Sequence, residues 1–148
     1  MTDSNSSDVL NRVLARVNRS LLQYAVDCWP WSTATDTLAI ETAEQKSIES
    51  MVQGQQESVA RLADLIAQRG DVADFGNFPD NSEMHYVSLD YLLGKLIADE
   101  QDLVADVQSA LAELGHDAEA TALVSHVLAA ETRNVARLRD LSQSLSAA

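Results

Sequence analysis

Apolar residues recur in alternating steps of three and four along four stretches of this chain, the period of a helix with one buried face. In the first stretch Leu10, Leu14, Val17, Leu21, Tyr24 and Cys28 share a seam. Ser7 or Asp8 is its N-cap, and Pro30, set between Trp29 and Trp31, ends it. The second seam is Ile48, Met51, Gln55, Ser58, Leu62 and Leu65, on a helix that starts near Asp36 or Thr37 and stops at Gly70. Gly54 lies inside that helix, costs about 1 kcal/mol relative to Ala, and leaves room for a neighbouring helix to approach. The third helix takes Ser88 as N-cap and carries Leu89, Leu93, Leu96, Glu100, Leu103, Val107, Ala110 and Leu114 on one face. Gly115 stops it, and Asp117 caps a fourth helix with Val124, Val127, Glu131, Asn134, Leu138, Leu141 and Leu145 in register. The pattern thus predicts helices over 8–30, 36–69, 88–114 and 117–145, in a single domain spanning 8–145 behind a disordered tail of residues 1–7.

The connections set the expected topology. Short links make helices one and two antiparallel, and likewise three and four. The middle link, Asp71 to Val87, holds Gly76, Pro79 and several Asp and Asn residues. Its roughly 16 residues reach about 50 Å at ~3.3 Å each. A helix of about 28 residues is about 42 Å long. The link can therefore run the length of the bundle and start helix three beside helix one. The expectation is an all-α, antiparallel four-helix bundle with one long crossover between helices two and three.

Composition narrows the function classes. Hydrophobic residues make up 46% and aromatics only 5%, which suits a helical bundle better than a β-sandwich. Ten basic against 23 acidic residues give a net charge of −13, a surface that repels phosphate backbones and anionic lipid. Nucleic-acid and membrane partners are therefore not expected. Cys28 is the only cysteine, so neither an internal disulfide nor a thiolate zinc site can form. The polar start, Met1 to Asp8, lacks the apolar core of a signal peptide, and the expected location is cytoplasmic.

The chemistry lies in polar residues on the seams. Val59-Ala60-Arg61-Leu62-Ala63-Asp64-Leu65 and Val135-Ala136-Arg137-Leu138-Arg139-Asp140-Leu141 are near-copies 76 positions apart, so the chain reads as two copies of a helical hairpin. Four residues before the shared Leu62 and Leu138 stand Ser58 and Asn134; seven before stand Gln55 and Glu131. Glu100 and Glu131 lie about equally far from Gly115 and should face each other across the second hairpin. Two buried carboxyls cannot both ionise cheaply, so one should keep its proton. Gln55, Ser58, Asn134 and Tyr24 are candidates to hydrogen-bond the pair, and Arg16 or Arg19 to neutralise it. The further acids Asp27, Glu41, Glu44 and Asp99 read as solvated faces. His126 reads as surface, His116 as part of a turn, and His85 and Tyr86 as closing one end of the bundle. Trp29 and Trp31 plug the other end or form a dimer contact.

Gln55-Gln56-Glu57-Ser58-Val59-Ala60-Arg61-Leu62 and Glu131-Thr132-Arg133-Asn134-Val135-Ala136-Arg137-Leu138 resemble the phrase Glu-x-x-His-Ala-x-Arg-Leu of ferritin-like di-iron carboxylate proteins of the rubrerythrin and bacterioferritin kind. That family carries a Glu on helices one and three and Glu-x-x-His on helices two and four. Carried over by resemblance, Glu100 and Glu131 keep two of the metal-ligand carboxylates. Asn134 stands in a histidine position, Gln55 and Ser58 replace the helix-two pair, and the helix-one Glu falls at Val17, seven before Tyr24. The resemblance therefore implies a ferritin-like bundle with a degenerate di-iron site. No cofactor is expected. A single divalent cation on Glu100, Glu131 and the amides is the metal such a set would take, since Ca²⁺ and Mg²⁺ favour oxygen ligands. The expected role is a non-catalytic structural or interaction bundle, a homodimer with a vestigial polar core. The alternatives are a metal-binding, iron-handling or oxidoreductase protein with an atypical ligand set, and a small-ligand pocket at the former metal position.

Overall fold

In a computed structural model, residues 3–25, 43–77 and 88–147 are described, and among them the chain is all helix and connection, with no strand. The helices are α1 (Asp3–Asn18), α2 (Leu21–Ala25), α3 (Ala43–Gln68), α4 (Leu89–Ala112) and α5 (Ala118–Ala147). The first two are halves of one interrupted rod, so the described residues form a four-helix bundle. Cys28, Trp29, Pro30, Trp31, the Asp36/Thr37 start of the second helix, His85 and Tyr86 lie outside the described residues.

Local sequence accounts for most helix ends. Gly70 has φ +81° and closes α3 with paired bonds, Gly70 N–H to the Ala67 carbonyl at 3.0 Å and Asp71 N–H to that of Ile66 at 3.1 Å. This is the Schellman pattern, which favours a residue without a Cβ. Ser88 caps α4 by accepting from Tyr91 N–H at 3.2 Å, and Asp117 caps α5 by accepting from Ala120 N–H at 3.2 Å. Asp117 also takes both prongs of the Arg69 guanidinium, at 2.5 and 2.8 Å. That pairing, with a hydrogen bond from Ser6, holds its carboxyl well below the usual range.

Two ends of the first rod differ from the pattern. It starts at Asp3, where a tail of residues 1–7 and a cap at Ser7 or Asp8 are expected, because Ser6 and Ser7 are buried against the far connections. Ser7 Oγ donates to Asp71 at 2.5 Å, and Ser6 bonds Asp117. The rod also breaks at Arg19 and Ser20, inside the run expected to be continuous over 8–30.

Contacts orient the rods. Arg12 meets Glu113 and Arg16 meets Asp99, so α1 and α4 run oppositely. Arg69 meets Asp117 and Arg137 meets Ser47, so α3 and α5 do too. α3 ends beside the start of α1, through Asp71 and Ser7. Residues 71–77 then lie along α1: Asn11 donates to the Val72 carbonyl and accepts from Asp74 N–H, and Asn18 donates to the Phe75 carbonyl. Gly76, at φ +74°, lies so close to α1 that a Cβ there would meet Ala15 Cβ at 3.1 Å.

The core is in two parts. One cluster joins Val13, Leu14, Val17, Leu62, Ile66, Leu103, Val107, Val124 and Val127. The other joins Leu21, Leu22, Met51, Val52, Leu92, Leu93, Leu96 and Leu138. On every rod the boundary falls at a polar residue. Gly54 is exposed, and no described atom comes within 4 Å of a Cβ built there. It admits no close helix approach, so only its helix-weakening effect remains. Gly54→Ala is therefore expected to stabilise the protein by about 0.5–1 kcal/mol in urea unfolding.

Candidate functional site: a buried polar layer

Between the two apolar clusters lies one polar layer built from all four rods. Gln55, Glu100 and Glu131 are wholly buried; Ser20, Ser58 and Asn134 are nearly so. Gln55 lies one helical step after Met51 and Val52, Glu131 one step after Val127, and Glu100 between Leu96 and Leu103. The same periodicity that buries the leucines therefore buries these groups.

Gln55 is the hub. Its Nε2 donates to Glu100 Oε1 at 2.8 Å and to Glu131 Oε1 at 2.6 Å. Its Oε1 accepts from Ser20 Oγ at 2.7 Å and from Gln23 Nε2 at 2.8 Å. Two donor hydrogens and two acceptor lone pairs use the full capacity of a carboxamide. The opposite amide orientation would set an oxygen against Glu131 and an NH₂ against that of Gln23, so the neighbours fix which end faces the acids. Gln23 continues toward solvent, accepting from Gln56 Nε2 at 3.4 Å. Asn134 Nδ2 adds long contacts to Glu131, at 3.4 and 3.5 Å.

The acids share their charge unequally. Burial, the Glu131 charge, a hydrogen bond to Glu131 and the charge of Asp99 push the Glu100 carboxyl up to about 10. Burial also raises Glu131, against the pull of hydrogen bonds from Gln55, Glu100 and Asn134 and of the Arg16 charge. Burial and mutual repulsion thus favour a proton on the pair, and the stronger upward push falls on Glu100. Glu100 Oε2 has no donor directed at it, the arrangement expected where that oxygen is the proton carrier and Glu131 the acceptor.

Arg16 and Asp99 form the layer's charged edge. The Arg16 guanidinium donates to the Asp99 carboxylate and carbonyl, each at 3.0 Å, and to Asp106 at 3.1 Å. Asp99 Oδ2 in turn accepts Leu21 N–H at 2.8 Å, a group left free where the first rod breaks. Arg19 is exposed.

Several sequence expectations change here. Val17, in the expected position of the helix-one ligand, belongs to an apolar cluster; Ser20 supplies that rod's group to the layer. The break sets this register, because Arg19 and Ser20 interrupt the helix and turn the serine inward. Asp99, expected on a solvated face, caps α2. Ser20-Leu21-Leu22-Gln23 has the Ser-x-x-Gln spacing of a helix start, a signal available for both the break and the layer. Ser58 is buried on the same face as Gln55, but the bonds joining the rods do not pass through it. Tyr24 is half-buried against the Leu21 and Met51 cluster. His116 and His126 are both exposed, on the turn and on α5.

The donor set does not fit a di-iron centre, which needs bridging carboxylates and imidazole nitrogens around an open cation position. An amide NH₂ projects at both acids where a cation would bridge them, and its neighbours hold it there. Among the described residues, no group of three or more His, Cys, Asp or Glu is arranged to hold a metal ion. Among them too, no helix is long and apolar enough to cross a membrane. No protein-family model matches the chain, and no curated protein is similar to it.

Two outcomes follow for the layer. Glu100→Gln preserves the bonding of a protonated Glu100, with Nε2 donating to Glu131 and Oε1 accepting from Gln55. Near pH 4.5, where the unfolded carboxyl still holds its proton, it should shift stability by less than about 1 kcal/mol, and by pH 7 it should be stabilising. Its effect on pH dependence should be larger. Folded Glu100 keeps its proton up to about 10 while the unfolded carboxyl loses it near 4.5, so the group's stabilisation is full below 4.5 and falls as pH rises through that window. Wild-type unfolding free energy measured from pH 5 to 9 should decline by up to about 1.4 kcal/mol per pH unit, and the Glu100→Gln variant should be flatter. A variant with the same slope as wild type would show that Glu100 does not hold the proton. Gln55→Leu leaves both carboxyls without their shared donor and should cost about 3–5 kcal/mol in urea unfolding.

Proposed function

We propose that this protein is a ferritin-like bundle whose interior has exchanged metal chemistry for a closed hydrogen-bonded layer, and that it acts as a non-catalytic structural or interaction module. The observation that carries this reading is the Gln55 amide, which donates to Glu100 and Glu131 together. A catalytic carboxylate site needs an open position for a metal, water or substrate. Here the position between the acids is filled by a side chain whose own bonds are complete.

The course of the rods supports the ferritin-like part. α3 ends beside the start of α1, and α4 begins among the residues that pack with α2, at the opposite end. The end of α3 and the start of α4 thus lie at opposite ends of the bundle, the placement expected of a fold with a long crossover between them. Residues 71–77 already follow α1 in this direction. The near-identical stretches on α3 and α5, and the direct bond between Gln55 and Glu131 at equivalent positions, support descent from a doubled hairpin. We read the module as a homodimer; Phe75 and Tyr91, each about half exposed near the α2 end, offer an apolar surface that a second copy would cover.

Metal uptake tests the reading. Tag-free protein titrated with Fe²⁺ or Mn²⁺, followed by desalting and metal analysis, should retain no stoichiometric metal. Saturable binding that disappears in Glu131→Gln would overturn it in favour of a metal-handling protein with an unusual ligand set.

A further inference from the structure

Resting on the reading of a layer closed without metal, we infer that the Gln55 carboxamide holds the place of a cation between Glu100 and Glu131, and that Gln55→Glu alone converts the layer into a site for one divalent ion.

Three observations support this. First, Gln55 Nε2 sits 2.8 Å from a Glu100 oxygen and 2.6 Å from a Glu131 oxygen, a point already bounded by ligand atoms from α4 and α5. Second, Glu100 Oε2 is buried in the layer with no donor directed at it, so a second oxygen is free to ligate once the shared proton leaves. Third, the outer oxygen of residue 55 is held by Ser20 Oγ and Gln23 Nε2, and both bonds survive in a glutamate, whose other oxygen then faces the acids. Such outer bonds orient a ligand and sharpen its affinity.

Charge decides between the two states. Gln55 Nε2 brings the two buried carboxyls to one point, and like charges that close favour sharing one proton, which gives a net charge of −1. Three carboxylates with one divalent ion also total −1, so the apolar clusters on either side face the same buried charge. Three carboxylates without an ion total −3, which Arg16 at the layer's edge cannot offset while it serves Asp99 and Asp106. The variant therefore needs a cation where the natural chain needs a proton. Carboxylates are hard ligands, and the layer offers no imidazole, so Mn²⁺, Mg²⁺ or Ca²⁺ fits better than a redox-active iron pair.

The test compares tag-free wild type, Gln55→Glu, and Gln55→Glu with Glu131→Gln, full chain in each case, titrated with MnCl₂ at pH 7. Free Mn²⁺ is followed by electron paramagnetic resonance, and helicity and melting by circular dichroism. Gln55→Glu should bind one Mn²⁺ per chain at least roughly tenfold more tightly than wild type. Mn²⁺ should raise its melting temperature and leave that of wild type unchanged, and the added Glu131→Gln should abolish both effects. A folded Gln55→Glu that binds no better than an inert wild type overturns this inference and leaves the closed-layer reading standing. Tight stoichiometric binding by wild type overturns the closed-layer reading itself. Should Gln55→Glu be unfolded alone, Mn²⁺ must restore its helicity; failure to do so also overturns the inference.

Discussion

A single carboxamide sets the terms on which this bundle holds two acids in its interior. Glu100 and Glu131 are wholly buried, and two carboxylates in that position would repel each other without water to screen them. Gln55 presents two N–H groups from the same nitrogen, one to each acid, and a shared proton completes the arrangement. The consequence for packing is register. Sliding any rod by one turn would carry its buried polar group into an apolar cluster and an apolar side chain into the polar layer. Buried polar groups of this kind trade some stability for one defined arrangement, as a single polar core residue does in a coiled coil.

The interruption of the first rod belongs to the same constraint. A continuous helix from Asp3 to Ala25 would leave Ser20 without its present inward position. Breaking the helix at Arg19 and Ser20 turns the serine hydroxyl to Gln55 and frees Leu21 N–H, which Asp99 accepts. Asp99 is in turn held by Arg16, whose charge favours the ionised form of Glu131. Break, cap and counter-charge form one linked set across α1, α2 and α4. The local loss of helix bonds is offset by a hydroxyl, a carboxylate and a guanidinium that all find partners.

The doubled hairpin explains why the two halves differ where they meet. Gln55 and Glu131 occupy equivalent positions, and the fold brings them into direct contact. Two glutamates there would add a third carboxylate to the layer and require a cation. Two glutamines would leave Glu100 as the only acid. The observed mixture of amide and acid supplies donors and acceptors in matching number. The repeat's other positions have no such demand: Leu62 and Leu138 remain identical and are both buried in apolar clusters.

Much of this was legible in the order of residues alone. The helical stretches, the Gly70 stop, the Ser88 and Asp117 caps, and the inward position of Gln55, Ser58, Glu100, Glu131 and Asn134 are local properties. They depend on side-chain spacing within a few turns, which the chain carries wherever it folds. Other features depend on partners far along the chain. Ser20 finds Gln55 35 residues away, Leu21 N–H finds Asp99 78 residues away, and Ser7 finds Asp71 64 residues away. The break in the first rod, the early start of α1, the displacement of Val17 by Ser20 and the direction of the Gln55 amide all follow from those encounters. Spacing determines which face of a helix is inward; only the packed rods determine which donor meets which acceptor there, because a hydrogen bond is set by the positions of both groups and the sequence orders them along one line.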